Sequence, residues 1–145
     1  MKDIYALKRQ ADAIGSEISR FLRDSQYEKN EDLSEVAFNA ADPEELFLVE
    51  ELEAISEKLC DVKSKLVYLN KPIIEESVLH RNESGRYETE TGFFYTSGNL
   101  IEFLADDGRH DVPYWTVSRV ESTTEGYYIV GHRSTVLDGL RVRRR

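Results

Sequence analysis

The sequence predicts an α+β chain: an N-terminal antiparallel helical hairpin, coiled-coil-like, followed by a small antiparallel β-sheet or partly open barrel. Three observations lead there. Apolar residues recur in a heptad rhythm in two separate segments before Pro72. After Pro72 the rhythm gives way to short β-branched and aromatic runs, and glycine turns punctuate those runs. A length of 145 residues suits one compact domain or two small ones sharing an interface. The predicted boundaries are 1–72 and 73–145.

In the first segment Ile4, Leu7, Ala11, Ile14, Ile18 and Phe21 step by 3, 4, 3, 4 and 3, which draws one stripe along a helix. Leu48, Leu52, Ile55, Leu59, Val62, Leu66 and Leu69 repeat the pattern. "DPEELF" supplies Asp42 as N-cap, Pro43 at the first helical position, and Glu44 and Glu45 where acids suit the helix dipole. Pro72 disfavours helix at Lys71 and closes the second segment. Each helix is expected to run about 25 residues, roughly 40 Å at 1.5 Å per residue. Neither hides its stripe alone, and stripe against stripe in a hairpin is the simplest solution.

Gly15 costs about 1 kcal/mol relative to alanine inside a helix. A close helix crossing offsets that cost; the other reading is a tolerated defect. Leu46, Cys60 and Val67 form a weaker second stripe, interrupted by Glu53 and widened by Phe47 and Val49. The β half, a second copy of the chain through the helices, or both are expected to cover it. Cys60 then reads as a small half-buried hydrophobe rather than a nucleophile. In the connector, Leu33, Val36 and Phe38 behind Asn30-Glu31-Asp32 predict a short third helix.

Charge is uneven. Residues 1–72 carry 16 acids and 10 bases, and residues 73–145 carry 12 acids and 9 bases, giving the net charge of -9. Every base in the second half is arginine, whose planar fork suits fixed contacts to carboxylate, phosphate or rings. Between residues 24 and 53 stand 11 acids and one base, Lys29. A solvated helix end explains this blandly. The functional reading is a negative surface of Glu31, Asp32, Glu35, Asp42, Glu44, Glu45, Glu50, Glu51 and Glu53 that docks on a basic partner.

After Pro72, "GFFYTSG", "NLIEFLADDG", "VPYWTVSRVES", "GYYIVG" and "GLRVRRR" read as short strands. Turns are expected at Gly85, Gly92, Gly98, Gly108 and Gly126. Alternation points Phe94, Ile101, Phe103, Trp115, Val117, Ile129, Leu140 and Val142 inward, leaving Arg141, Arg143 and Arg145 on the opposite side of the last strand. There the arginines face water, discourage edge pairing, or meet the acid-rich helical half.

No phosphate loop, HExxH, CxxC or GxSxG motif is present, and His80, His110 and His132 are isolated. No catalytic residues, metal ligands or cofactor are therefore expected. Tyr95, Tyr114 and Tyr128 with Arg119, Arg133, Arg141, Arg143, Arg144 and Arg145 outline an alternative surface for nucleic acid or a nucleotide. The same tyrosines also suit internal packing. One cysteine, no signal peptide and no apolar run of roughly 18 residues predict a soluble, cytoplasmic protein.

"YTSGNLIEFL", "WTVSRVESTTEGYYIVG" and "LDGLRVRRR" carry a resemblance over about residues 85–145. It is to a family of small uncharacterised proteins carried by mobile elements and prophages of Gram-positive bacteria. The resemblance implies a gene neighbourhood where small acidic proteins disable host defences, and it brings no functional residues. The leading expectation is a non-enzymatic inhibitor of a bacterial defence system, with a CRISPR effector nuclease as the basic partner whose nucleic-acid channel the acidic surface occupies. The rivals are the arginine-and-tyrosine nucleic-acid module and a structural or assembly protein built on the helices.

Overall fold

The computed structural model describes residues 3–145 and divides the chain into two compact units, Met1–Lys71 and Pro72–Arg145. The first holds α1 (Ile4–Asp24), the one-turn α2 (Tyr27–Asn30) and α3 (Pro43–Asn70). The second is all β: β1 (Glu75–Val78), β2 (His80–Arg81), β3 (Tyr87–Glu88), β4 (Phe94–Tyr95), β5 (Leu100–Ala105), β6 (Tyr114–Thr123), β7 (Gly126–Ile129) and β8 (Arg141–Arg144). This is the α+β arrangement the sequence predicts.

Both long helices start on carboxylate caps. Asp3 accepts from the Ala6 amide at 2.7 Å and Asp42 from the Glu44 amide at 2.9 Å, with Pro43 behind it. α3 stops where Lys71 turns extended ahead of Pro72. The helices run antiparallel. A Cβ placed on Gly15 would stand 2.8 Å from Leu66 Cδ1, so the glycine marks a close crossing. Beside it, Asn70 donates to Asp12 at 2.9 Å and Lys8 donates to Asn70 at 2.7 Å.

Stripe faces stripe only in part. Ile18 of the first stripe is buried and Leu66 of the second meets Gly15, while the rest of the inner line runs through Asp12 and Leu22 on α1 and Ser56 and Asn70 on α3, of which Leu22 and Ser56 are buried. Gly15 and Ser56 have little or no side chain, so the backbones approach best on that line. The helices are rotated accordingly. Ile4, Leu7, Ile14 and Phe21 of the first stripe, and Leu48, Leu52, Ile55, Val62 and Leu69 of the second, remain exposed. Leu46 and Val67 of the weaker stripe are exposed too, and Cys60 is half-buried.

The expected helix after Asn30 is also displaced. α2 lies before that point, and Glu31 ends it in the left-handed region at φ 58°. Side chains then satisfy the connector amides in place of a helical ladder: Asp32 accepts from Ser34 at 2.9 Å, and Glu53 accepts from Leu33 at 3.2 Å. Leu33 is buried, whereas Val36 and Phe38 stay exposed.

In the β unit, five strands pair antiparallel in the order β1-β8-β5-β6-β7, and β2-β3-β4 make a second small sheet. The sheets do not close into a barrel. Gly98 at φ 88° and Gly126 at φ 122° sit at two of the expected turns, in backbone that a side chain disfavours. The core gathers Leu79, Tyr95, Ile101, Phe103, Ala105, Val120, Ile129, Leu137 and Val142, with Leu140 packed against it.

Three inward assignments are corrected. Phe94 is exposed and its neighbour Tyr95 takes the core place. Trp115 and Val117 pair across from Leu104 and Glu102, hence on the face away from Ile101 and Phe103. The polar Thr116 and Ser118 turn to the core side instead, where Ser118 Oγ donates to the Val130 carbonyl at 2.7 Å.

Candidate functional site

Five of the nine acids picked from the sequence stand apart from the other four. Asp32, Asp42, Glu45 and Glu53 are half-buried and spend their carboxylates on the local backbone. Glu45 accepts from the Asn39 amide in a short contact that folds the connector back on α3. Hydrogen bonds from Ser34, through its side chain and then its amide, hold the Asp32 carboxyl below the usual range. These four build the end of the hairpin.

Glu31, Glu35, Glu44, Glu50 and Glu51 are exposed, and among the described residues their carboxylates make no hydrogen bond or ion pair. They occupy the connector and the first three turns of α3, so they share the loop end of the hairpin. Glu28 nearby is already matched by Lys63 at 2.6 Å. That end therefore offers five exposed anionic groups on a backbone held by four others. A shallow groove beside it is lined by Tyr27, Glu28, Glu31, Glu57, Cys60 and Asp61. Burial, and then the Glu28 charge, push the Cys60 thiol up, which keeps it a poor nucleophile.

The arginines of the alternative surface lie elsewhere and are heavily committed. β8 is an interior strand between β1 and β5, not an edge. Glu102 of β5, with 7% of its side chain exposed, takes Arg143 at 3.0 Å and Arg145 at 3.0 and 3.3 Å. Arg144 Nε donates to Glu75 at 2.9 Å, and Arg141 Nε donates to Glu76 at 2.9 Å. Arg143 also lies 4.3 Å over the Trp115 ring, and Arg144 lies 4.0 Å over Phe93. The basic terminus is thus a set of cross-strand ion pairs.

Arg119 donates to Glu121 at 2.7 Å. Arg133 covers the face of Tyr128 at 4.2 Å, beside a shallow hollow lined by Tyr127 and Glu125. Tyr114 donates its hydroxyl to Asp107 at 2.9 Å, and that bond raises its pKa. Tyr95 is 3% exposed and offers no ring to a base. Among these residues the structure brings Arg143 and Arg145 together around one carboxylate, and Arg133 with Tyr128.

The histidines are dispersed. His80 lies 3.0 Å from Glu88, His110 meets the edge of Tyr114, and His132 meets Phe103. Among the described residues no three His, Cys, Asp or Glu side chains gather around a point that could hold a metal ion. Among the described residues no helix is long and apolar enough to cross a membrane.

Residues 76–144 match a domain of unknown function, DUF5348. The match runs from β1 to the end of β8 and leaves the helical hairpin outside it. Searches of curated proteins and of solved structures find no match for the chain.

Sequence reasoning missed Glu102 and Glu75 as partners of the arginine tail. The signal was present in "NLIEFLA", where one acid interrupts an apolar strand. A buried strand carbon-copies that interruption only if a cation meets it. The "EE" of β1 and the "RR" of β8 likewise match in antiparallel register, Glu75 opposite Arg144 and Glu76 opposite Arg143.

Proposed function

We propose that this protein works by binding rather than catalysis, docking the acidic loop end of its hairpin on a basic protein surface that otherwise holds nucleic acid. The observation that carries this reading is the division among the nine acids: four fix the backbone, and five point carboxylates into solvent with no internal cation. A helix end that needed charge only for its dipole or for capping would use Asp42, Glu44 and Glu45 and stop there. Uncompensated carboxylates raise the free energy of the isolated chain through repulsion and lower it against a cationic channel. The arginine-and-tyrosine alternative draws less support, because most of its guanidinium groups already meet carboxylates or rings.

A mobile-element inhibitor of a bacterial defence nuclease fits that chemistry, and a guide-loaded CRISPR effector with its positively charged channel is the concrete partner to try. The test is titration of the full chain against such an effector and its target DNA at low salt. Expected is loss of DNA binding, weakening as salt rises. A variant with Glu31, Glu35, Glu44, Glu50 and Glu51 all changed to Gln should lose the effect while keeping its helical circular dichroism. Undisturbed DNA binding, or equal inhibition by the variant, refutes the reading.

A further inference from the structure

We propose that two copies of the chain associate face to face through their hairpins, about a two-fold axis parallel to the helices, to make a four-helix bundle. The proposal rests on where the displaced stripes end up. At about 100° per residue, the exposed rows on α1 and α3 lie roughly 60–90° from each helix's inward row, in the same rotational sense. Because the helices run antiparallel, the same sense puts both rows on one side of the hairpin. Ile4, Leu7, Ile14 and Phe21 thus share that side with Leu48, Leu52, Ile55, Val62 and Leu69, each between 36% and 70% exposed. With Gly15 level with Leu66 and Asp12 with Asn70, Ile14 and Phe21 lie alongside Leu69 and Val62, while Ile4 and Leu7 extend beyond the end of α3 and Leu48 and Leu52 beyond the end of α1. Where the helices overlap, Ile14, Phe21, Val62 and Leu69 present about 350 Å² of apolar surface, the size of the largest patch on an ordinary monomer.

The charges bordering this face select a second copy as the occupant and fix its orientation. Along the outer edge of α3, seven residues apart, run Glu44, Glu51, Lys58 and Lys65. Neither lysine has an ion-pair partner among the described residues. Along the outer edge of α1 run Asp3, Gln10, Glu17 and Asp24, again seven apart. The crossing of Gly15 with Leu66, and the Asp12–Asn70 bond, set which levels of the two helices coincide: Lys65 stands level with Glu17, and Lys58 with Asp24. A two-fold axis along the hairpin keeps every level and brings the α1 edge of one copy beside the α3 edge of the other. Lys65 then meets the second copy's Glu17, and Lys58 meets the second copy's Asp24, while the apolar rows close between them. The weak pairs Glu17 now makes with Arg20 at 3.4 Å and Asp24 with Arg23 at 3.9 Å are exposed enough to yield. Both acidic loop ends emerge at the same end of the bundle, which doubles the surface on which the proposed function rests without being required by it.

Sedimentation equilibrium of the full chain tests this. Expected is a mass twice the 16.8 kDa of one chain. Ile14→Glu with Ile55→Glu should return it to a single-chain mass with helical circular dichroism retained. Lys58→Glu with Lys65→Glu should weaken association by about tenfold, Glu17→Lys with Asp24→Lys likewise, and mixing the two variants should restore it, since the reversed charges meet again across one of the two edges. A single-chain mass at high concentration overturns the proposal, as does a dimer indifferent to Ile14→Glu with Ile55→Glu. A dimer broken by those changes but unmoved by the charge reversals overturns the two-fold arrangement.

Discussion

Glu102→Gln is the sharpest single test of how the β unit holds together. The carboxylate is 7% exposed and bridges two guanidinium groups with 20% and 12% of their side chains exposed, through contacts of 3.0, 3.0 and 3.3 Å. Glutamine keeps the shape and removes the charge. Two cations are then left close together in the same poorly hydrated place. Breaking a buried ion pair by removing one partner costs about 3–5 kcal/mol, and the exposures here are low enough that solvent screening takes little of it back. Small domains have about 5–15 kcal/mol in all, so the change consumes much of the reserve. Urea unfolding followed by Trp115 fluorescence reads this unit alone, because Trp115 is the chain's one tryptophan and lies 4.3 Å under Arg143. With a slope of about 1–2 kcal/mol/M for so small a unit, the midpoint should fall by at least about 1.5 M. Changing Glu102, Arg143 and Arg145 together to Leu should cost less than Glu102→Gln alone, since no charge is stranded. A loss under about 1 kcal/mol for Glu102→Gln, or a triple variant worse than the single one, would refute the reasoning.

Further outcomes follow from the same geometry. Gly15→Ala should change hairpin stability, read by far-ultraviolet circular dichroism in urea, by less than about 1 kcal/mol, because the propensity gain offsets displacement of the flexible Leu66 tip. Gly15→Leu should instead force the helices apart and cost about 1–3 kcal/mol. Asp42→Ala removes the cap on α3 and should cost about 1 kcal/mol in the same assay. Burial pushes the Glu75 carboxyl up, but the polar groups of Thr89, Arg144 and Thr91 around it outweigh burial and leave its pKa lowered, with the Arg144 guanidinium hydrogen-bonded to it. A lowered folded pKa means stability present above the ordinary carboxyl range of about 4 and lost as pH falls through the folded value. The Trp115 urea midpoint should therefore drop below about pH 4, and drop less in Glu75→Gln; equal acid sensitivity in the two proteins would contradict the assignment.

The legible parts of the fold are those where one residue type answers one local demand. Asp42-Pro43 at the start of α3, Pro72 after its end, and the turns at Gly98 and Gly126 each follow from backbone geometry that few residues satisfy. Helix rotation is a different kind of quantity. The heptad count of Ile4 through Phe21 places a stripe but does not decide which neighbour covers it; the small residues Gly15 and Ser56 decided that, because backbones gain most contact where side chains are least. In β6 the period of two was clear and its phase was not. "YWTVSRV" offers large residues on one face and hydroxyls on the other, and the sheet gave Trp115 to Arg143. Of the acidic site, composition located the region. It could not separate Asp32, Asp42, Glu45 and Glu53, whose oxygens fold the connector, from Glu31, Glu35, Glu44, Glu50 and Glu51, because that division depends on which amides lack a helical partner.

The two units stabilise themselves by different means, and the difference bears on function. The β unit hides nine apolar side chains in one cluster and neutralises Arg143, Arg144 and Arg145 internally. The hairpin buries Ile18 and Leu22 on α1 and Ser56 on α3, and leaves most of its large apolar residues in water. Long helices in water draw their stability from a packed face more than from propensity. A hairpin that spends its contact line on glycine, serine and an Asp12–Asn70–Lys8 network holds the two rods in register while reserving the apolar face. Substituting that contact line with large side chains, by Gly15→Leu with Ser56→Leu, should therefore force the rods apart and lower the urea midpoint read by far-ultraviolet circular dichroism; the small, polar contact line and the exposed stripe are two sides of one choice of rotation.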